Sequence, residues 1–222
     1  MNITVFGANG NVGTLVVRHA LEQGHRVHAF VHSNDPFEPH PQLSVTAGDI
    51  TDEDAVDAAM VDAGAAISTL GAFRRRKGPV LTPGLTTICA AMQRHDCRRL
   101  VVLTGAGVRP PHHRRSTRTQ VNRLILTIMD RTAVADAEQA LDVVAATGLD
   151  WTAVCAPTIS PAGPAGYRLT KQMPSLLGKV PGPAVAASLV DLAAQPHADG
   201  PVLGIEAAPG LARRRLRHPD LE

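Results

Sequence analysis

The segment Val5-Phe6-Gly7-Ala8-Asn9-Gly10-Asn11-Val12-Gly13 carries three glycines spaced G-x-x-G-x-x-G. It follows a short apolar run and opens a helical repeat, the context in which such spacing has chemical meaning. Gly7 permits a sharp turn off a strand. Gly10 lets the backbone approach a pyrophosphate, and Gly13 lets the helix pack close to the strand. The N–H groups exposed from Asn9 through Asn11 and Val12, together with the positive end of the helix, can then hold phosphates. The chemistry implied is dinucleotide binding.

About twenty residues past the glycines, sites selective for NAD place an Asp or Glu against the ribose. His32 and Ser33 stand there instead, and the first acid is Asp35. A carboxylate would repel a 2′-phosphate, whereas His32 and Ser33 can donate to one. NADP is therefore the expected cofactor and NAD the alternative; the other reading makes His32 a loop residue that ends a strand. Gly48-Asp49-Ile50 closes a later apolar run. Asp49 can accept from an adenine amino group while Ile50 covers the ring, or Asp49 can belong to the turn ahead of a helix capped by Thr51.

Other reactive residues form no recognisable set. His112 and His113 are adjacent, but further ligands at metal-binding spacing are not evident. Cys89, Cys97 and Cys155 are odd in number and include no C-x-x-C pair, which fits a reduced compartment. Thr104 lacks a readable base and orienting group, so a nucleophilic role has no support. Arginines cluster at 74–76, 114–115 and 213–215. With a net charge of only +2 they read as solvated loops, and neither a nucleic-acid nor a membrane partner is expected.

These residues must be held by an alternation of strands and helices. Apolar runs at 3–6, 26–31, 43–47, 65–70, 100–104 and 151–155 read as strands. Helical spacing appears from 12 to 20, after 51, from 85 to 92, and from 121 to about 146. The strands are continuously apolar, as in a parallel sheet covered on both faces. The predicted fold is thus an α/β, doubly wound Rossmann sheet in three αβα layers, forming a single domain over residues 1–222. Residues from about 156 onward, rich in Gly and Pro, are expected to cover the carboxyl ends of the strands and to end in a mobile tail. One helix near 184–194 and a last strand near 203 are expected there. No apolar run approaches a membrane span, and a cytoplasmic location is expected.

Together, Gly7 to Gly13, Gly48-Asp49-Ile50, Thr69-Leu70-Gly71 and Gly148-Leu149-Asp150-Trp151-Thr152 resemble the atypical short-chain dehydrogenase/reductase group. That group includes NmrA-like NAD(P)H-binding proteins and biliverdin-IXβ/flavin reductases. The resemblance covers residues 1–159 well and the rest loosely. It implies that Leu70 and Gly71 lie against ribose and pyrophosphate, that Thr104 stands beside the nicotinamide as the catalytic candidate, and that Pro157, Thr158 and Ile159 run past its carboxamide. Arg74, and with less support His112, are implied near the substrate. The Tyr and Lys of a full dehydrogenase set are not matched: Tyr167 and Lys171 have the spacing but follow the sixth strand, not the fifth. Ala137 and Leu141 stand where relatives carry Lys and Glu, with only Asp136 fitting, and Cys155 replaces a common Arg. The function implied is an NAD(P)H-dependent oxidoreductase passing hydride to a small acceptor such as a flavin or quinone. The alternative is an NmrA-like NAD(P)-binding sensor without turnover.

Overall fold

The computed structural model describes residues 1–71, 79–109, 117–195 and 201–208; for 117–119 and 129 it describes the backbone. In chain order the elements are β1 (Asn2–Phe6), α1 (Gly13–Glu22), β2 (Arg26–Val31), β3 (Leu43–Ala47), α2 (Glu53–Ala59), β4 (Ala65–Ser68), α3 (Leu81–Arg94) and β5 (Arg99–Gly105). They continue with α4 (Thr117–Met129), α5 (Arg131–Ala145), β6 (Asp150–Ala156), β7 (Thr158–Ser160), β8 (Tyr167–Thr170), β9 (Lys179–Pro181), α6 (Gly182–Ala193) and β10 (Val202–Ala207).

Eight strands form one sheet in the order β3-β2-β1-β4-β5-β6-β10-β8. All neighbours are parallel except β8, which pairs antiparallel with β10 at the edge. β7 and β9 form a separate parallel pair. The order reverses between β1 and β4, and such a switch point opens a crevice at the carboxyl ends of the strands. One core lies between the sheet and α1 with α6, built from Val5, Val16, Val185 and Leu189. The other lies under α2, α3 and α5, around Phe6, Ile88, Met92 and Leu141. The doubly wound Rossmann expectation is met, and both faces of the central strands are buried as their unbroken apolar sequence requires.

Three local expectations are corrected. Asp52, not Thr51, caps α2: its carboxylate accepts from the Ala55 N–H at 3.1 Å, while the Thr51 hydroxyl donates to Asp49 at 2.8 Å. The helical stretch 121–146 is two helices, because Asp130 leaves helical geometry (φ −158°) and caps α5 through the Ala133 N–H at 2.9 Å. A side chain that can satisfy a new first turn makes such a break inexpensive. The Gly- and Pro-rich segment after 156 contains three short strands before α6. In α4 the polar Asn122 faces inward, donating to the carbonyls of Ala106 and Pro174 at 3.1 and 2.8 Å, while Val121, Leu124, Ile125 and Ile128 face outward.

Candidate functional site

The glycine turn sits on the switch point between β1 and β4. Gly7 adopts a φ of +75°, open to glycine at little cost. Gly10 N–H donates to the Gly7 carbonyl at 3.0 Å, closing the turn. Thr69, just past β4, braces it: its N–H and its hydroxyl both reach the Phe6 carbonyl, at 2.9 and 3.0 Å, and the hydroxyl also reaches the Gly7 carbonyl at 3.1 Å. Gly13 is the tightest point. A Cβ there would lie 2.2 Å from the Gly7 carbonyl oxygen and 2.8 Å from Ala8 Cα. Helix α1 therefore starts directly against the turn. No side chain caps it and no acid lies in its first turn, so its positive end is left for an anion. The residues present fit a dinucleotide, since the cradle is one that any added side chain would fill.

Beside the turn, the ends of β4, β5 and β6 open on a cleft of about 940 Å³, a volume suited to a small organic ligand. Of the residues singled out in the sequence, Gly10, Asn11, Val12, Leu70, Gly71, Thr104, Pro157 and Ile159 line it. Thr104 lies opposite Cys155 in the β5–β6 register. Thr158 does not line the cleft; its hydroxyl is directed to the Leu176 carbonyl, 3.5 Å away. Sequence reasoning missed Leu15, Leu81, Val108, Ser160 and Gly182, which belong to the wall as well. They come from five separate segments, and no spacing rule connects them. Among the described residues, the lining contains no Asp, Glu, Lys, Arg, His, Tyr or Cys.

The rest of the proposed cofactor set lies around the ends of β2 and β3. His32 and Ser33 are exposed directly after β2. The Asn9 amide is directed to the Asn34 carbonyl at 3.5 Å, tying the glycine turn to that loop. Asp35, the first acid, accepts from the Phe37 N–H at 2.9 Å and so serves its own turn. Asp49 is exposed and accepts from the Thr51 N–H and hydroxyl at 3.0 and 2.8 Å. Ile50 is only 6% exposed and packs beneath Gly84 of α3.

Behind the cleft wall stands Asp136 of α5. Its carboxylate accepts from the N–H groups of Val80, Leu81 and Thr82 at 2.8, 2.8 and 2.9 Å, the first turn of α3. Burial by itself raises its pKa. Donation from Thr82 and from the N–H groups of Leu81, Thr82 and Val80 outweighs burial and holds the pKa below the ordinary carboxylate value. A carboxylate depressed in this way contributes stability above its unfolded pKa, and that contribution is lost as pH falls through the folded value. Farther along α5, Glu138 accepts from both Nε and Nη2 of Arg123, at 2.7 and 2.9 Å, and joins α4 to α5.

Tyr167 does not line the cleft; on the edge strand β8 it donates to Asp191 of α6 at 2.7 Å. Burial, with Asp191 adding to it, pushes its pKa up, so it is no acid for the cleft, as its sequence position implied. The thiols of Cys89 and Cys155 are pushed up to about 12 by burial, and Cys97 to about 11 despite a backbone bond from Arg99. None is a thiolate at neutral pH. Arg74 and His112 lie outside the described residues. Among the described residues no group of His, Cys, Asp or Glu could hold a metal ion, and no helix is long and apolar enough to cross a membrane.

A family model described as NAD(P)H-binding matches residues 7–196. Over 118 residues the chain is 32% identical to a 3 beta-hydroxysteroid dehydrogenase/Delta 5→4-isomerase of Mycobacterium tuberculosis, a match covering 48% of this chain and 32% of that protein's length. Among solved structures, a candidate NADH-flavin reductase of Streptococcus pneumoniae superposes with a TM-score of 0.74 at 21% identity, covering 94% of this chain and 100% of the other. An anaerobillin reductase of Escherichia coli O157:H7 superposes at 0.72 and 21% identity, covering 96% and 100%. At these identities the two structures speak for the fold.

Proposed function

Since the chain belongs to the NAD(P)H-binding family, we propose that it is an NAD(P)H-dependent oxidoreductase whose acceptor is a small planar molecule such as a flavin or quinone. The observation that carries this is the cleft itself: a dinucleotide cradle at one end, and beyond it a wall of Leu103, Thr104, Val108 and Ile159 without an ionisable side chain among the described residues. The names of the flavin and anaerobillin reductases of the same fold point the same way.

In this reading Gly7, Gly10 and Gly13 give the pyrophosphate room, and Asn9, Asn11 and Val12 present the start of α1 to it. Asp49 and Ile50 border the adenine end, and Leu70 and Gly71 border the ribose. Thr104, Pro157 and Ile159 position the nicotinamide end, with Thr158 turned away to the Leu176 carbonyl, and the segment after 156 covers the acceptor. Bound there, a reduced nicotinamide supplies a hydride. The protein's contribution is to hold donor and acceptor in register and exclude water, the function an apolar wall serves. Flavins and quinones suit such a wall because they accept a hydride without a side-chain acid, the reduced anion taking its proton from bulk solvent once it leaves the cleft. Arg74 and His112 remain the proposed substrate contacts.

The test is melting of the purified protein with NADPH, NADH and neither, followed by an acceptor panel. Cofactor at 100 times its dissociation constant stabilises a fold by about 2.7 kcal/mol, so a clear rise in Tm is expected, larger with NADPH. Flavin- or quinone-dependent NADPH oxidation is then expected. Binding without oxidation of any acceptor would favour a redox sensor, and no rise with either cofactor would end the reading.

The NADP preference is proposed to rest on His32 and Ser33, with Asp35 turned into its own loop. His32→Asp is expected to shift the ratio of NADPH to NADH affinity toward NADH by about tenfold, the scale of one charged contact at roughly 1.4 kcal/mol. An unchanged ratio would place the 2′-phosphate elsewhere.

A further inference from the structure

We propose that Asp136 is a positioning residue for the cleft: it supplies from α5 the N-cap that α3 lacks, and so fixes the wall formed by Leu81 and Ala137. The proposal rests on the cofactor reading above.

Helix α3 begins after Val80, which offers it no side-chain bond, and its first turn holds no acid. Its orphan N–H groups are taken instead by a carboxylate 54 to 56 residues away in sequence, through three bonds of 2.8 to 2.9 Å. The clasp is reciprocal, because the Thr82 hydroxyl donates to the Asp136 main-chain carbonyl at 3.0 Å. Asp136 is 6% exposed. The next residue on α5, Ala137, and the first residue of α3, Leu81, both line the cleft. The clasp thus sits immediately behind the place where two wall helices meet.

Charge gives the clasp a second role. Residues at the starts of α1, α3 and α6 (Val12, Leu81 and Gly182) all border the cleft. Neither α1 nor α6 has a side-chain cap or an acid in its first turn. Of these three helices, α3 alone has its positive end met by a buried acid among the described residues. A negatively charged ligand is therefore drawn away from α3 and toward the bare starts of α1 and α6, of which α1 carries the glycine turn. Loss of the charge both loosens the wall and leaves a competing positive end beside the cofactor.

The experiment compares Asp136→Asn with Asp52→Ala and Asp130→Ala, which remove the side-chain caps of α2 and α5 outside the cleft lining. The NADPH dissociation constant is measured by calorimetry and Tm by circular dichroism. All three variants are expected to melt lower. Only Asp136→Asn is expected to weaken NADPH, by about tenfold or more, the scale on which displaced positioning groups act. If Asp136→Asn fails to fold, Thr82→Val, which removes the Thr82 hydroxyl and leaves the three N–H bonds to the carboxylate, decides: it is expected to weaken NADPH about threefold, a milder form of the same displacement. Wild-type protein that binds no NADPH would overturn the cofactor reading itself. Wild-type binding with unchanged affinity in Asp136→Asn, or in Thr82→Val where it is the variant that folds, would overturn the positioning role alone.

Discussion

Gly13→Ala is expected to destabilise the protein by about 3 kcal/mol or more and to abolish cofactor binding. The added methyl would stand 2.2 Å from the Gly7 carbonyl oxygen and 2.8 to 2.9 Å from two Ala8 backbone atoms. None of these can swing aside as the end of a long side chain can. The Gly7 carbonyl is pinned by the Gly10 N–H and the Thr69 hydroxyl, and Ala8 N–H is held by the Phe30 carbonyl at 3.1 Å. Relief must come from moving the start of α1, which displaces the N–H groups that would meet phosphate. Gly24→Ala is the control. Gly24 has a φ of +78° but nothing within 4 Å of its added Cβ, so only the left-handed strain of about 1 to 2 kcal/mol applies. Urea unfolding of both variants, with calorimetry for NADPH, measures the difference. A Gly13→Ala protein as stable as Gly24→Ala and still binding NADPH would show that the turn yields.

The second large effect lies at the opposite end of the sheet. Arg99, the first residue of β5, is 5% exposed. Its Nε and Nη2 both donate to the Leu192 carbonyl at 3.0 Å, and Nη1 donates to the Thr152 hydroxyl and the Asp150 carbonyl at 3.0 and 3.2 Å. Leu192 is in the last turn of α6, where a cation meets the negative end of the helix. Burial pulls the guanidinium pKa below its ordinary value, with Asp150 partly opposing; the charge is therefore costly to hold and is offset by these bonds. Removing it leaves the Leu192 carbonyl with the Gln195 N–H alone, at 3.2 Å, and takes the charged donor from the Thr152 hydroxyl and the Asp150 carbonyl, where each lost bond to a charged group costs about 1 to 3 kcal/mol. Arg99→Ala, which adds a cavity, is expected to cost about 4 kcal/mol. Arg99→Met, which keeps the volume, is expected to cost about 2 kcal/mol, because losing the desolvation penalty returns part of the loss. Chemical denaturation of both variants tests the order. A Met variant as stable as wild type would mean that desolvation cancels the bonds entirely, and loss of NADPH affinity would contradict the placement of Arg99 away from the cleft.

The amino-acid sequence by itself determined the sheet and the turn. Strand positions were legible because continuous apolar runs have one stable use in a chain of this length, the middle of a covered sheet. Arg26–Val31 and Leu43–Ala47 were read to the residue. Gly7 and Gly13 were legible because the constraint on each is local: a left-handed φ and a backbone contact six residues back. Asp130 was not legible as a helix break. Asp is tolerated inside helices, and only its φ of −158° shows that it caps a new one. The tertiary structure alone decided what the acids and the buried cation do. Asp136 serves α3 from α5, Arg99 closes α6 from β5, and Tyr167 is spent on Asp191. Each joins segments at least 24 residues apart, and no residue spacing encodes which distant backbone group a buried charge will meet. The cleft wall belongs to the same class, since Leu15, Leu81, Val108 and Gly182 become neighbours only when the crossovers return four segments to one end of the sheet.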